Sequence, residues 1–165
     1  MRRSPTSIHN NIVAYLETKL PAPLLALAIA AGMWLVWRDA PVFGPDAELR
    51  VAVSVAIAQV SAALVLAAGF AFWRARTTID PRRPERAATL VTYGIYRFSR
   101  NPMYLSLLLL LLAYAIRLGA PVALAGPVVF AAYVTRFQVL PEERALEAKF
   151  GLQYADYCRR VRRWL

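Results

Sequence analysis

The sequence predicts an all-α, polytopic membrane protein with about four transmembrane helices in a single domain over residues 1–165. Of its 165 residues, 59% are hydrophobic, and they form long continuous runs instead of recurring with a regular period. The runs over residues 20–37 and 51–73 contain no charged side chain. Each is long enough to cross a hydrocarbon layer of roughly 30 Å as a helix.

Two further apolar runs, over about residues 103–117 and 119–137, predict the third and fourth spans. The sequence Gly119-Ala120-Pro121 lies between them and favours a tight connection. These two spans are therefore predicted to form a helical hairpin.

Charge indicates how the spans are oriented. The formal net charge is +10, from 20 Lys and Arg against 10 Asp and Glu. The basic residues concentrate before the first span, between the second and third, and after the fourth, which the positive-inside rule assigns to the cytoplasm. We therefore expect both termini on the cytoplasmic side of the cell (inner) membrane. Because topology already accounts for the arginines and no nucleic-acid module accompanies them, nucleic acid is not an expected partner.

Three further features of the sequence predict a surface helix, a long loop and helix-packing residues. Residues 8–20 show apolar side chains every four residues and predict an amphipathic helix on the membrane surface. The loop over residues 74–100 is basic, interrupted by prolines and too long for a simple turn, which makes it a candidate functional segment. Ser54, Gln59 and Ser61 in the second span are assigned to helix packing.

The carboxyl-terminal part is predicted to leave the membrane. Pro141 is expected to end the fourth span, so that Glu142 and Glu143 fall in the first turn of a new helix that ends near Gly151. A final helix then carries an apolar stripe, read as mainly structural, with Trp164 as an interfacial anchor. That stripe consists of Tyr154, Tyr157, Cys158, Val161 and Trp164.

Residue inventory excludes several chemistries. His9 and Cys158 are the only histidine and cysteine, so a zinc cluster or a Cys/His nucleophile pair is not expected, and no metal is predicted. The seven glycines never show the Gly-x-Gly-x-x-Gly spacing of a dinucleotide cradle. What remains is a polar and aromatic group at one membrane face, suited to a polar ligand that the residues alone do not identify. This group comprises residues 89–104, Glu142, Glu143, Tyr154 and Tyr157.

The segment Thr89-Leu90-Val91-Thr92-Tyr93-Gly94-Ile95-Tyr96-Arg97-Phe98-Ser99-Arg100-Asn101-Pro102-Met103-Tyr104 resembles the core motif of the isoprenylcysteine carboxyl methyltransferase family. A second block resembles the same family in order and approximate spacing: Glu142-Glu143, Leu146, Phe150-Gly151, Tyr154, Tyr157 and Val161. Together the resemblance covers residues 88–165.

The resemblance implies an integral membrane enzyme that transfers a methyl group from S-adenosylmethionine to a lipid-like or membrane-borne acceptor, a carboxylate being one candidate. It implies a cytoplasmic cofactor pocket formed by the loop before the third span and the carboxyl-terminal helices, with the lipophilic acceptor entering from the surrounding membrane lipids. The cofactor-binding residues that it implies are Ala88, Thr89, Leu90, Val91, Tyr96, Asn101, Pro102, Met103, Tyr104 and Glu142.

The residue chemistry is compatible with these assignments. The cofactor carries an ammonium and a sulfonium, so Glu142 suits it electrostatically, and Tyr96 or Tyr104 can offer a ring face. Direct displacement from a sulfonium requires alignment and exclusion of water more than a metal. Glu142 and Arg100 are therefore the candidate catalytic residues, with the Arg100 guanidinium suited to orienting a carboxylate.

Two departures from the family pattern bear on the acceptor. Asn101 stands where prenylcysteine-specific members typically have histidine, and Gln138 aligns with an arginine that handles the substrate carboxylate. Prenylcysteine is therefore not the expected acceptor by default, and three alternative functions stay open. They are a phospholipid amine methyltransferase, a nicotinamide-dependent membrane reductase of related architecture, and a non-catalytic membrane scaffold.

Overall fold

The computed structural model describes residues 20–37, 41, 42, 44–75 and 89–165, and within these ranges every regular element is helical. The predicted surface helix over residues 8–20, apart from Leu20, lies outside them, as does Ala88. In chain order, the elements are α1 (Ala22–Trp37), α2 (Ala47–Ala75), a 3-10 turn (Gly94–Arg97), α3 (Pro102–Leu118), a 3-10 turn (Pro121–Leu124), α4 (Ala125–Val134), a π-helical turn (Thr135–Val139), α5 (Leu140–Phe150) and α6 (Leu152–Arg160).

Two helical stretches of the described chain are long and apolar enough to cross a membrane. They are α2, with 29 residues, and the continuous stretch Pro121–Phe150, with 30 residues. Only 17% of the apolar window in α2 is buried inside the molecule, so most of that helix presents hydrophobic side chains outward, as lipid-facing helices do. The shorter apolar helices α1 and α3 have 16 and 17 residues. The fold is thus that of an integral membrane protein, and the four-span prediction stays a proposal for α1 and α3.

The central helix is α3, which packs against α1, α2 and α4. Its contact with α2 includes a hydrogen bond from Ser61 Oγ to the carbonyl oxygen of Ser106, 2.7 Å long and buried. The packing prediction is confirmed for Ser61. Ser54 is also buried, although its hydroxyl bonds to a carbonyl of its own helix. Gln59 is exposed, so its assignment to packing is wrong within this single chain.

The predicted hairpin between α3 and α4 is present and depends on Gly119. This residue ends α3 with φ +69°, the left-handed conformation that glycine adopts without steric cost. A Cβ at this position would lie 2.8 Å from Arg50 Nε and 3.0 Å from Val42 Cγ1. The turn therefore requires glycine for two separate reasons, the backbone conformation and the close approach of Val42 and of Arg50 in the first turn of α2.

Substituting Gly119→Ala is expected to destabilise the protein more than substituting Gly94→Ala. Both glycines have similar positive φ values, +69° and +63°, but a Cβ on Gly94 would meet nothing within 4 Å. The strain of about 1–2 kcal/mol is then common to both variants, and only Gly119→Ala adds a clash. Thermal unfolding in detergent measures both. Equal losses of stability would show that the Arg50 side chain moves aside at no cost.

The prediction that Pro141 ends the fourth span is wrong, because the helix continues from α4 through the π-helical turn into α5. A proline in a regular α-helix lacks one N–H donor and clashes with the carbonyl four residues earlier. The wider π turn, which ends two residues before Pro141, absorbs this mismatch and lets the chain continue. Glu142 and Glu143 do lie in the first turn of α5, and that helix ends at Phe150, before Gly151, as predicted.

Candidate functional site

The predicted motif forms the connection into α3. Its 3-10 turn, Gly94–Arg97, is followed by Ser99, whose buried Oγ accepts a 3.1 Å hydrogen bond from the Asn101 N–H. Pro102 then begins α3, where its missing N–H costs nothing. This arrangement places Tyr104 in the first turn of α3, at the same end of the helices as the first turn of α5.

Those two first turns meet through Tyr104 and Glu142. The Tyr104 Oη donates a hydrogen bond to Glu142 Oε1, although the two residues are 38 positions apart in the chain. Tyr104 is only 8% exposed. A carboxylate in such a setting is stable only with strong hydrogen bonds or a positive partner, and one hydroxyl supplies a small part of that. The pair is therefore suited to a cationic ligand.

Tyr96 forms the adjacent wall. Its ring meets Phe72 edge-on, with ring centroids 5.4 Å apart, and its carbonyl oxygen accepts a 2.7 Å hydrogen bond from Tyr157 Oη. Burial raises the pKa of the Tyr96 hydroxyl, with smaller contributions from Tyr157 and Glu142. Burial also raises the pKa of the Tyr157 hydroxyl, despite the opposing charge of Arg100. Both phenols are therefore neutral donors at physiological pH.

The remaining predicted cofactor residues flank these tyrosines. Val91 is buried with Tyr96 against the end of α2, and Met103 packs on the same cluster. Leu90 packs in a separate cluster, against the buried α6 side chains of Tyr154 and Tyr157. Thr89 is exposed, whereas Asn101 and Pro102 lie at the start of α3 and Ala88 is outside the described residues. The fold thus gathers the described members of the set at one end of the helices.

Arg100 is engaged by protein groups. Its Nη2 lies 3.1 Å from Glu143 Oε1, with the two side chains 13% and 16% exposed, and its Nη1 donates to Cys158 Sγ. Its Nε–H is buried and, among the described residues, has no partner. The Arg100 Nε–H is therefore available to a ligand, whereas each of the two terminal nitrogens already contacts a protein group.

Sequence reasoning missed Arg163 as a member of this region. Arg163 donates two hydrogen bonds to the Glu143 carboxylate, of 3.0 and 2.7 Å, and its carbonyl accepts a 3.0 Å bond from Asn101 Nδ2. The neighbouring Trp164, predicted as an interfacial anchor, instead packs partly buried against the core cluster that contains Tyr104. The α6 stripe likewise packs inward, because its tyrosines and Val161 find apolar partners on Leu90 and α5. The two arginine pairs on either side of Val161 carry no local signal for these contacts.

A cavity of about 540 Å³ lies between the helices. Helices α1 and α2 both pack on α3 but share no extensive contact in the described chain, which leaves a groove with α3 as its floor. Its lining is almost entirely apolar and includes Ala26, Ala30, Ser54, Ala58, Leu107 and Leu111. Leu107 and Leu111 follow Tyr104 by three and seven residues, so they continue the same face of α3. The groove therefore begins about one helical turn from the Tyr104–Glu142 pair.

Comparison with known proteins identifies the family of this chain. Residues 49–153, more than half of the chain, match the phospholipid methyltransferase family. The chain belongs to the phospholipid methyltransferase family. This family is part of the same integral-membrane methyltransferase superfamily as the isoprenylcysteine carboxyl methyltransferases. The matched residues include Tyr104, Glu142 and the α2 and α3 residues that line the groove, whereas the α1 residues of the groove, such as Ala26 and Ala30, precede the matched range.

One further comparison supports a shared fold segment without adding a function. An uncharacterised protein of Haemophilus influenzae (strain KW20 / Rd) is 49% identical over 63 residues, which cover 38% of this chain and the whole of that protein. No solved structure matches the chain. The family membership and the apolar helices therefore carry the coarse conclusion, that this is a membrane methyltransferase acting on a membrane lipid.

Proposed function

We propose that this protein transfers a methyl group from S-adenosylmethionine to the polar head of a membrane lipid, with an amine as the accepting group. The observation that carries the proposal is the partly buried Glu142 carboxyl group, which accepts a hydrogen bond from the Tyr104 hydroxyl inside a region that matches phospholipid methyltransferases.

The available residues fit the cofactor. S-adenosylmethionine supplies a methyl group on a positively charged sulfur and also carries an ammonium and a carboxylate. The Glu142 carboxylate would hold a positive group, and the Tyr96 and Tyr104 rings would face the cation. Leu90, Val91 and Met103 would pack on the adenine and hold it through backbone groups. These residues would exclude water, which strengthens the electrostatic interactions within the site.

Further residues complete the proposed pocket. The Arg100 Nε–H, buried without a partner among the described residues, would donate to the cofactor carboxylate. Asn101 and Pro102 would fix the backbone that leads into Tyr104. Thr89 would line the entrance on the preceding loop, and Ala88, which lies outside the described residues, stays a predicted cofactor residue. In this scheme Arg100 and Glu142 align the cofactor, and no residue is required to form a covalent intermediate.

Gln138 favours an amine over a carboxylate as the acceptor. Its side chain is buried, and its Nε2 donates a 2.7 Å hydrogen bond to the carbonyl oxygen of Leu20, so the position supplies no cation for a substrate carboxylate. The nearby Arg136 is exposed and lies 5.5 Å from the ring of Phe137. A carboxylate acceptor, as in the isoprenylcysteine enzymes, is therefore the second candidate, and it would rely on Arg100.

The proposed topology brings lipid to this site. Four crossings, by α1, α2, α3 and the stretch after Pro121, would place both ends of the chain in the cytoplasm of a cell whose inner membrane holds the protein. The first turns of α3 and α5 would then lie at the cytoplasmic surface. The pocket would be formed by the loop before α3 together with α5 and α6, and the chain would act as one domain.

We further propose that the apolar groove holds the hydrocarbon chain of the acceptor. Its volume of about 540 Å³ is within the range of ligand pockets, and it begins one turn from Tyr104. Substituting Ala58→Leu would occupy it and is expected to reduce kcat/KM for a long-chain acceptor about tenfold, with cofactor affinity unchanged. Methyl transfer to lipids in detergent micelles measures the effect.

Ala56→Leu provides the control for that variant, because Ala56 lies on the same helix but is exposed away from the groove. It adds the same side chain and the same helix propensity. If both variants, or neither, reduce turnover of long-chain acceptors, the acyl chain does not occupy the groove.

The experiment that tests the function is calorimetric titration of the detergent-solubilised protein with S-adenosylmethionine and, separately, with reduced nicotinamide dinucleotide phosphate. Saturable binding of the first, followed by methyl transfer to phosphatidylethanolamine, is expected. Binding of only the nicotinamide cofactor would indicate a membrane reductase of related architecture. Binding of neither would favour a membrane scaffold without turnover.

A further inference from the structure

The two adjacent glutamates of α5 lie in different surroundings. Consecutive residues of an α-helix point about 100° apart, so Glu142 and Glu143 cannot face the same group. Glu142 faces Tyr104, the candidate cofactor wall. Glu143 instead faces two guanidinium groups, those of Arg100 and Arg163, and its side chain is only 16% exposed.

The Glu143 interactions join three separate parts of the chain. Arg100 comes just before α3, Glu143 is in the first turn of α5, and Arg163 follows the end of α6. The Arg163 fork binds both carboxylate oxygens, the geometry that gives a carboxylate pair its directional rigidity. This ion-pair clamp, defined as Arg100, Glu143 and Arg163, therefore fixes the start of α3 relative to the start of α5.

Backbone contacts reinforce the clamp. The Arg100 N–H donates a 3.1 Å hydrogen bond to the carbonyl oxygen of Arg162, and Asn101 Nδ2 donates to the carbonyl oxygen of Arg163. The segment after α6 is extended, since Val161 has φ −127° and ψ 130°. Trp164 then packs on the cluster that contains Tyr104. The extended segment thus crosses the first turn of α3. Hydrogen bonds to its carbonyl groups and the packing of Trp164 hold it there.

We propose that Glu143 and Arg163 are positioning residues, which hold the first turns of α3 and α5 at the spacing that brings Tyr104 onto Glu142. Neither residue is assigned to touch the cofactor. This role rests on the proposed function, because the two residues that are positioned, Tyr104 and Glu142, are the proposed cofactor-binding pair. The physical reason is that the Tyr104–Glu142 hydrogen bond alone holds the first turns of α3 and α5 together only weakly. The charged hydrogen bonds of Glu143 are stronger and keep the two turns at a fixed distance.

The test measures the clamp in the cofactor-free protein and then in the presence of cofactor. Glu143→Gln keeps the side-chain shape and removes the charge. It is expected to increase hydrogen–deuterium exchange over residues 159–165 and 98–104, to weaken S-adenosylmethionine binding, and to lower kcat/KM by about 10- to 100-fold. Exchange in α2 and α4 should stay unchanged, which shows that the variant folds.

Matched variants separate the clamp from general effects of charge. Glu147→Gln removes a carboxylate one turn further along α5, where the side chain is exposed, and Arg162→Gln removes an exposed arginine beside Arg163. Both are expected to leave exchange and binding unchanged. Arg163→Lys keeps the charge but loses the fork, so it should restore part of the function that Arg163→Gln loses.

Two results would overturn the proposal. Weaker cofactor binding in Glu143→Gln with unchanged exchange would make Glu143 a direct cofactor ligand. Increased exchange with unchanged binding and turnover would show that the clamp does not shape the site. If the unsubstituted protein binds no S-adenosylmethionine, the proposed function is wrong, whatever the clamp does. If hydrogen–deuterium exchange is also unaltered in Glu143→Gln, no clamp holds these segments.

Discussion

Glu142→Gln is expected to reduce the affinity for S-adenosylmethionine by about 30- to 1000-fold, corresponding to a loss of about 2–4 kcal/mol. The glutamine oxygen still accepts the hydrogen bond from Tyr104, so the local packing is preserved while the negative charge is lost. The cationic groups of the ligand then enter a buried site without a counter-charge, which accounts for the size of the effect. Calorimetric titration in detergent measures it.

Glu147→Gln is the matched control for this experiment as well, because it changes the same helix at an exposed position. Helical content and thermal stability of Glu142→Gln should match those of the unsubstituted protein, since no buried partner loses its hydrogen bond. A variant that aggregates or unfolds would assign Glu142 to stability. Full cofactor affinity in a folded Glu142→Gln protein would remove Glu142 from the cofactor site.

Phe130→Ala is expected to cause the largest loss of stability, about 3 kcal/mol, the lower end of the range for deleting a buried phenylalanine. The Phe130 side chain is fully buried in the cluster that joins α1, α3 and α4. Within a membrane, the transfer of apolar groups from water contributes little, so van der Waals contacts and the residual cavity dominate the cost. Thermal unfolding in detergent should show a clearly lower Tm.

Phe70→Ala is the corresponding control, since Phe70 lies on α2 with 57% of its surface exposed. Removing the same number of atoms there leaves no internal cavity, and the expected change in stability is within about 0.5 kcal/mol. Similar losses in both variants would mean that the packing of α4 against its neighbours does not determine the stability of this fold.

The candidate site was predictable from the sequence in part. The motif around Tyr96 and Tyr104 and the carboxylate Glu142 were identified by resemblance, and the fold brings Tyr104 and Glu142 into contact. The contact itself joins residues 38 positions apart, and no local pattern specifies which side chains will meet over such a distance. For the same reason, the two guanidinium partners of Glu143 were not found.

Some local predictions failed because tertiary packing overrode them. Pro141 is a strong local signal for the end of a helix, yet a π turn lets the helix continue. Trp164 has the amphipathic character of an interfacial residue, but its indole packs, partly buried, on the core cluster. The neighbouring Arg163–Glu143 ion pair holds this part of the chain beside the start of α3. Both outcomes depend on neighbours that lie far away in the sequence.

Local sequence patterns are sufficient to predict that the chain is helical, that it belongs in a membrane and that its polar, chemically capable residues lie at one end of the helices. These properties follow from uninterrupted apolar runs, from the positions of arginine and from glycine at the hairpin turn, all of which act over a few residues. Tertiary packing, in contrast, places Glu142 against Tyr104 and Glu143 against two arginines. The reason is that adjacent helical residues diverge by about 100°, and what each one meets depends on how distant helices pack.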